Sequence, residues 1–576
     1  MDSRTAAHAL SRIAAYLELN GGNAFKRRAY EGAARALRAL GADDLAPLYR
    51  SGELAGVRGL GPATLAVVRD LIETGESRYL EQLRESTPEG LIDMLAVPGM
   101  TPARIHRVYQ ELNIETVEEL EAAARDGRLT TMAKIGPATS DKILAGIATA
   151  RERGALRLYH HAMIEATHLL AAVRSHPGVE HAEIAGALRR RMEVAGSVDI
   201  VAACRGDVVA VAQSFTRVAG VRSADGAADC VSVLFVDGAR LTLRCVAREE
   251  FAVALWKATG SEQHVRAVAS ALATAGFTFE GDRLIEAGGA AVPVRDEADV
   301  YHAAGFAFVP PELREGNGEI EAARRHALPT LVVPADIRGA LHCHSAYSDG
   351  KATIAEMARA AQAKGWEYIG ITDHSQAAFY AGGLSRDRVL QQHDEIDELN
   401  ATMPGIHILK GIEADILADG RLDYDDELLD RFDFVVGSVH SRFTMDRATM
   451  TQRVLRALGD PRLTILAHPT GRLLLSRESY AIDINAVLDE AARRGVAVEL
   501  NADPHRLDLD WRHLRRAREL GVRIEIGPDA HSVTGLDNME IGVGIARKAW
   551  LESADVLNAA TADDVIAFAR ARRAPR

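Results

Sequence analysis

From residue 338 onward the chain repeats one unit seven times: an apolar run, then a stretch with apolar residues three and four positions apart. The runs are GALHCH, YIGITDH, IHILKGIEADI, FDFVVGSVH, LTILAHP, VAVELNAD and VRIEIGPDAH. Runs this continuously apolar read as strands buried on both faces, and their alternation with amphipathic helices predicts a parallel βα barrel. Such barrels carry their chemistry at the C-terminal ends of the strands. There the sequence places His342, His344, Asp349, His374, Glu413, His440, His468, Asp529 and His531. Strand side chains alternate faces, so His342 and His344 point the same way, as do Asp529 and His531, while Cys343 turns the other way into packing. A lone buried histidine is ordinarily a hydrogen-bonded core residue. Nine ligand-type residues at one end of successive strands are a metal site. Imidazole and carboxylate together suit zinc, manganese or iron. Nine exceed the roughly four that one tetrahedral ion takes, and fit a cluster of two or three ions that clamps the oxygens of a phosphoester. His393, His407, His505 and His513 fall in helices or loops and read as solvent or capping residues.

The rest of the chain changes texture twice. Residues 1 to about 155 are rich in Ala, Leu, Glu and Arg with helical periodicity, broken by short Gly/Pro turns. Residues 156–320 carry short β-rich runs (VDIVAAC, CVSVLFVD, RLTLRCV) between helical stretches, and FVPPELREGNGEIEAARRHALP follows as a connector. Within the helical region three segments recur: GVRGLGPAT (56–64), AVPGMTPARI (96–105) and MAKIGPATSDKI (132–143). Each leads a turn into a helix. Gly59, Gly61, Gly99 and Gly136 are the candidates for presenting backbone N–H groups and the positive helix end to a phosphate. The run FKRRAY (25–30) is a small basic-aromatic patch.

A length of 576 residues predicts roughly three to five compact units. With 47% hydrophobic and 26% charged residues, disorder is excluded as a class. There is no apolar run long enough for a membrane span. The first residues, MDSRTAAHALSRIAAYLELN, carry early charges and lack the apolar core of an export signal. Cys204, Cys230, Cys245 and Cys343 show no CxxC spacing, so a reducing, cytoplasmic location is expected. The net charge of −13 weighs against nucleic acid as a partner. That objection weakens because turn amides grip phosphate without cationic side chains, and bound divalent ions offset the ligand carboxylates.

The motifs LHCHSAYSDG, ITDHS, GIEADI, GSVHS, AHP and PDAHS resemble the polymerase and histidinol phosphatase family, the PHP domain. The resemblance implies a distorted (β/α)7 barrel that hydrolyses phosphoesters with water activated at about three ions of zinc, manganese or iron. All nine positions are its metal ligands. Glu413 would bridge two ions, and Asp349, His374 and His531 would serve a more exposed third. Asp349, His374, Glu413, His440, Asp529 and His531 are the catalytic candidates, and Arg506 in NADPHRLDLDW is a candidate for holding a substrate phosphate.

The stretch IAGALRRRMEVAGSVDIV resembles the nucleotidyltransferase signature of family X DNA polymerases, and LWKATGSEQHVR resembles their thumb motif. The connector leading into DIRGALHCHS is similar to that of bacterial members carrying a PHP domain. The implied order is a helical DNA-binding domain (1–85), helical fingers with two further hairpins (86–155), an α+β palm (156–245), a thumb (246–318), a linker (319–337) and the barrel (338–576). The palm site would comprise Gly186, Arg190, Ser197, Asp199 and Thr242. The family's Gly-Asp-x-Asp reads Gly196-Ser197-Val198-Asp199, its third aspartate position is Thr242, and its Gly-Ser turn is Gly186-Ala187. Two-metal transfer needs a cluster of carboxylates, and neutral Ser and Thr do not hold two Mg2+ or Mn2+ ions. Polymerase activity is therefore expected to be absent or weak, though Glu193 lies near in sequence and could supply one ligand. The helix GPATLAVVRDLIETG contains no lysine, so no Schiff-base lyase is expected. The implied protein is a monomer acting on gapped, nicked or 3′-ended DNA with a 3′–5′ exonuclease or 3′-end phosphodiesterase site. The alternatives are a gap-filling polymerase that still uses dNTPs, a small-molecule phosphoesterase, and a non-catalytic scaffold for DNA ends.

Overall fold

A computed structural model describes residues 1–573 except 43, 155 and 227. Its contacts divide the chain into two units: Met1–Leu188 with Val194–Ala258 and Phe279–Asp296, and Arg189–Glu193 with Thr259–Thr278 and Glu297–Arg576. The fold is multidomain, with a helical region of hairpin turns, an α+β palm and a seven-stranded parallel barrel.

The first unit opens on helices whose ends the sequence writes plainly. Asp2 caps α1 (Ser3–Leu19) by accepting from Thr5 N, and Asn23 caps α2 (Ala24–Leu40) by accepting from Phe25 N. Leu10, Ile13 and Leu17 of α1 and Tyr30, Ala34 and Leu37 of α2 are buried in one helical core. Helices α3 (Pro62–Thr74), α4 (Pro102–Leu112) and α5 (Pro137–Gly154) each begin on proline, whose missing N–H costs nothing at that position. A short 3₁₀ segment precedes each turn, at Glu53–Gly56, Met94–Ala96 and Arg128–Thr131. After α6 (Tyr159–Ser175) comes a mixed sheet of β1 (Val179–Ile184), β2 (Val198–Cys204), β3 (Val221–Asp225), β4 (Cys230–Phe235) and β5 (Arg240–Ala247), in the order β1-β2-β5-β4-β3. Strands β2 and β5 run parallel and place Asp199 opposite Thr242.

In the second unit, strands β6 (Gly339–Ala340), β7 (Tyr368–Ile371), β8 (His407–Asp415), β9 (Phe434–Ser438), β10 (Leu463–Leu466), β11 (Ala497–Asn501) and β12 (Ile524–Gly527) pair in parallel in chain order. Alternate strand residues go to different places. Leu341, Tyr368, Leu409, Phe434, Val436, Ile465 and Ala497 fill the interior. Ile369, Ile408, Val435, Val498 and Ile524 pack against the surrounding helices. Gly370 and Gly411 leave room for the Phe434 ring, because a Cβ at either would come within 2.6 Å of it. The sheet closes beyond its first and last strands. Cys343 bridges Ala530, with His344 N donating to Ala530 O at 2.9 Å and Ala530 N to His342 O at 3.3 Å.

A strap of five residues from the middle of the chain, Arg189–Glu193, belongs to this second unit. Arg189 pairs with Glu297 at 2.6 Å, and Arg190 pairs with Glu315 at 2.9 Å. Glu315 also holds the fully buried ammonium of Lys548 at 2.5 Å, and Lys548 donates to Arg190 O at 3.1 Å. Glu193 pairs with Arg472 at 3.4 Å. Removing one partner of a buried ion pair strands the other without water. Glu315→Gln should therefore lower stability by about 3 kcal/mol in urea or guanidinium unfolding, with Lys548→Met in the same background recovering much of it.

Candidate metal centre

Most of the ligands lie just past the last paired residue of a strand. His440 and His468 each lie two residues beyond β9 and β10, and Asp529 lies two beyond β12. His468 and Asp529 adopt left-handed backbone, φ 26° and 48°, a cost that non-glycine residues bear where a site fixes them. Glu413, within β8, is the hub. Its Oε2 lies 2.8 Å from His374 Nδ1 and 3.6 Å from Nε2 of both His342 and His344. Its Oε1 lies 3.1 Å from His468 Nε2 and 3.3 Å from His440 Nε2. Asp529 Oδ1 stands 3.4 Å from His344 Nε2 and 3.7 Å from His342 Nε2. At the outer edge Asp349 Oδ1 is 3.3 Å from His531 Nε2, and its Oδ2 is 3.7 Å from His374 Nε2.

All nine sequence-predicted ligands thus meet in one cluster. Three overlapping groups each have ligand atoms within 4.8 Å of one another: His342, His344 and Asp529; His374, Glu413 and His440; and His344, Asp349, His374 and His531. Buried His342 Nε2, His344 Nε2 and Glu413 Oε2 have no hydrogen-bond partner. Buried polar atoms are ordinarily satisfied, so these donor atoms fit divalent ions. Arg506 reaches the same cluster, with Nε 3.6 Å from Asp529 Oδ2.

Sequence reading missed the residues that hold the ligands. Glu499, in β11, accepts from His342 Nδ1 at 2.5 Å and from the His468 backbone N at 2.6 Å. Asp415 accepts from His440 Nδ1 at 2.7 Å, and Asn501 donates to Asp529 Oδ2 at 3.0 Å. The signal was available: Glu499 and Asn501 interrupt the apolar run VAVELN, and a buried polar side chain inside a strand needs a partner. Glu525 lies opposite Glu499 on β12, and burial together with that neighbouring carboxylate pushes its pKa well up.

The cluster's charges are strongly coupled. Burial opposes a proton on His440, but Glu413 and Asp415 outweigh it and raise its pKa to about 10. Burial likewise opposes a proton on His531, but Asp349 and Asp529 raise its pKa to about 9. Burial and the neighbouring His531 and His374 push His344 down to about 3. Burial would raise Asp349, yet the surrounding imidazoles hold it down to about 2.

Four family models match the chain. They are a PHP domain over residues 340–503, a helix-hairpin-helix domain over 1–77, a SAM-like helix-hairpin-helix tandem over 91–149 and a DNA polymerase beta thumb over 254–315. The chain is 36% identical over 571 residues to the DNA polymerase/3′-5′ exonuclease PolX of Bacillus subtilis (strain 168), a match covering 97% of this chain and 98% of that protein. The chain belongs to the bacterial family X DNA polymerases that carry a PHP domain. Shorter matches reach probable phosphatases. One, from Caldanaerobacter subterraneus, is 30% identical over 207 residues, covering 33% of this chain and 74% of that protein. Another, from Acetivibrio thermocellus, is 33% identical over 200 residues, covering 33% of this chain and 78% of that protein.

The palm of this family X polymerase gathers Gly186, Ser197, Asp199 and Thr242. Ser197 Oγ donates to Asp199 Oδ1 at 2.9 Å. Gly186, at φ 62°, sits so close that a Cβ there would lie 1.9 Å from Asp199 Oδ2. Thr242 lies opposite Asp199 on the neighbouring strand. Arg190 instead pairs with Glu315 and donates to the Thr259 carbonyl at 2.8 Å, and Glu193 is engaged by Arg472. The helix-hairpin-helix and thumb regions mark a DNA-binding protein. In the three hairpins Leu60, Met100 and Ile135 are buried while the residues around them face solvent. Gly59 and Gly99 take left-handed backbone, φ 105° and 90°. In the third hairpin that position is Lys134, φ 65°, and Gly136 falls where Gly61 and Thr101 precede their helices. No helix among the described residues is long and apolar enough to cross a membrane.

Imidazoles with raised pKa must release protons to become ligands. Mn2+ affinity of the metal-free protein should therefore rise between pH 6 and pH 9, by about tenfold per unit for each proton displaced, in calorimetry across buffers of different ionisation enthalpy. Glu499→Gln should weaken metal binding about 10- to 100-fold while leaving the circular dichroism spectrum unchanged.

Proposed function

We propose that this protein hydrolyses phosphoesters at DNA 3′ ends, as a 3′–5′ exonuclease or 3′-end phosphodiesterase in DNA repair. In this reading its working site is the barrel cluster and its palm no longer supports efficient nucleotide addition. The observation that carries the reading is the contrast between the two sites: the nine candidate ligands converge in the barrel, while on the palm neutral Ser197 and Thr242 flank Asp199. The barrel residues would hold about three divalent ions of zinc, manganese or iron, with Glu413 shared between two of them. Bound ions supply Lewis-acid polarisation and neutralise charge on the phosphoester. Glu499, Asp415 and Asn501 fix the orientation and proton placement of the ligand side chains. Arg506, its guanidinium beside Asp529, is placed to pair with a phosphate oxygen that enters the mouth. Turn amides before α3, α4 and α5 grip the DNA backbone sequence-independently. The protein acts as a monomer in the cytoplasm, where its four cysteines remain free thiols.

A second reading keeps the polymerase alive on Asp199, with dNTPs as substrates. It is favoured by the 36% identity to a protein named both polymerase and exonuclease. Labelled gapped DNA incubated with Mn2+, with and without dNTPs, separates the two. Shortening alone is expected from the wild type. Asp349→Ala and His374→Ala should each reduce hydrolysis by at least about 1,000-fold with the fold intact. Robust templated extension by Asp349→Ala would establish the second reading, and undiminished hydrolysis by both variants would remove the barrel from the chemistry.

A further inference from the structure

Between β7 and β8 the chain leaves the metal centre at His374 and returns at Leu384, and the loop between them is closed on itself. Ser375 bridges Leu384, Leu384 N donates to His374 O at 2.9 Å, and Gly383 N donates to Ala378 O at 3.1 Å. Ala377 N donates to Asp423 at 2.7 Å, tying the loop to the barrel body. Gly383 lies so close to the Ser375 carbonyl, 2.0 Å from where its Cβ would be, that only glycine fits the return. At the tip of this stiff loop stand Phe379, 85% exposed, and Tyr380, 63% exposed. Folding gains nothing from leaving two adjacent aromatic rings in water, and Phe379 is the most exposed large hydrophobic side chain among the described residues. Their place is specific. The Tyr380 ring is 6.4 Å from the ring of the ligand His440, edge to face, and Phe379 stands 6.0 Å beyond it.

We propose that Phe379 and Tyr380 form a stacking platform for an unpaired nucleobase at a DNA strand end, holding the nucleotide next to the phosphate that the metal centre cleaves. The inference rests on the reading of that centre as a DNA-end phosphoesterase. A strand entering the mouth offers phosphates to the cations and Arg506, and its bases lie to the side of the backbone, where the aromatic pair stands. Every base has a π face, so the platform selects frayed or single-stranded ends over paired ones without reading sequence. A protein partner would use the same rings differently, because its binding would not depend on a base at the strand terminus.

The test removes the rings and the bases independently. The full-length wild type, Phe379→Ala/Tyr380→Ala and Phe379→Trp are loaded with Mn2+. Each is mixed with single strands ending in ordinary nucleotides or in two tetrahydrofuran abasic nucleotides. On ordinary ends the double variant should show KM raised about 10-fold or more with kcat little changed, and Phe379→Trp should keep the wild-type KM. On abasic ends wild type and variant should be equal. A 2-aminopurine at the 3′ terminus, read by stopped flow before turnover, should be quenched by the wild type and not by the double variant. Quenching without any hydrolysis supports the platform and sinks the exonuclease reading, so the two fail separately. Equal losses on ordinary and abasic ends, or no loss on either, overturn the proposal, the latter leaving the rings to a protein partner.

Discussion

The barrel's closing contact, Cys343 against Ala530, is the constraint on which the metal centre depends. Without it, His342 and His344 at one edge of the sheet and Asp529 and His531 at the other would be separated by the width of five strands. With it, residues nearly two hundred positions apart are joined by two backbone hydrogen bonds, and the ligands on either side of the bridge interleave around Glu413. Cys343 turns into the apolar layer because its neighbours turn inward, so one alternation serves both packing and ligation. The cluster is therefore as stable as the closure of the barrel, and its geometry is set by the backbone rather than by any single ligand.

The strand ends were legible because a parallel barrel repeats one rule seven times, and each repetition adds weight to the last. What remained illegible depends on register. Glu499 supports His342 only because β11 and β12 place it beneath the mouth, and no local spacing encodes that alignment. Glu193 lies four residues before Ser197 in the chain, and the partner it takes, Arg472, is 279 residues away, a pairing that no local spacing announces. In the third hairpin Gly136 corresponds to Gly61, and Lys134 takes the left-handed position that Gly59 and Gly99 hold in the other two.

Charge also reads differently once located. The carboxylates of Asp349, Glu413 and Asp529 contribute to the net −13 but sit among six imidazoles, where bound cations belong to the site's own balance. The hairpin turns carry backbone amides beside exposed Arg58 and Lys134, so a protein of net negative charge still has local surfaces suited to phosphate. Contacts of this kind would be modest per turn and would gain strength from acting together.

The strap Arg189–Glu193 has a bearing on how such a chain changes over generations. Its residues lie between two parts of the palm motif, Gly186 and Asp199, yet they neutralise charged side chains of the barrel unit. A substitution at Ser197 or Thr242 alters only the palm, whereas loss of the strap strands buried charges beside the barrel. Selection for hydrolysis alone would therefore preserve this stretch of polymerase sequence. The strap thus has a structural reason to persist whether or not nucleotides are joined at Asp199.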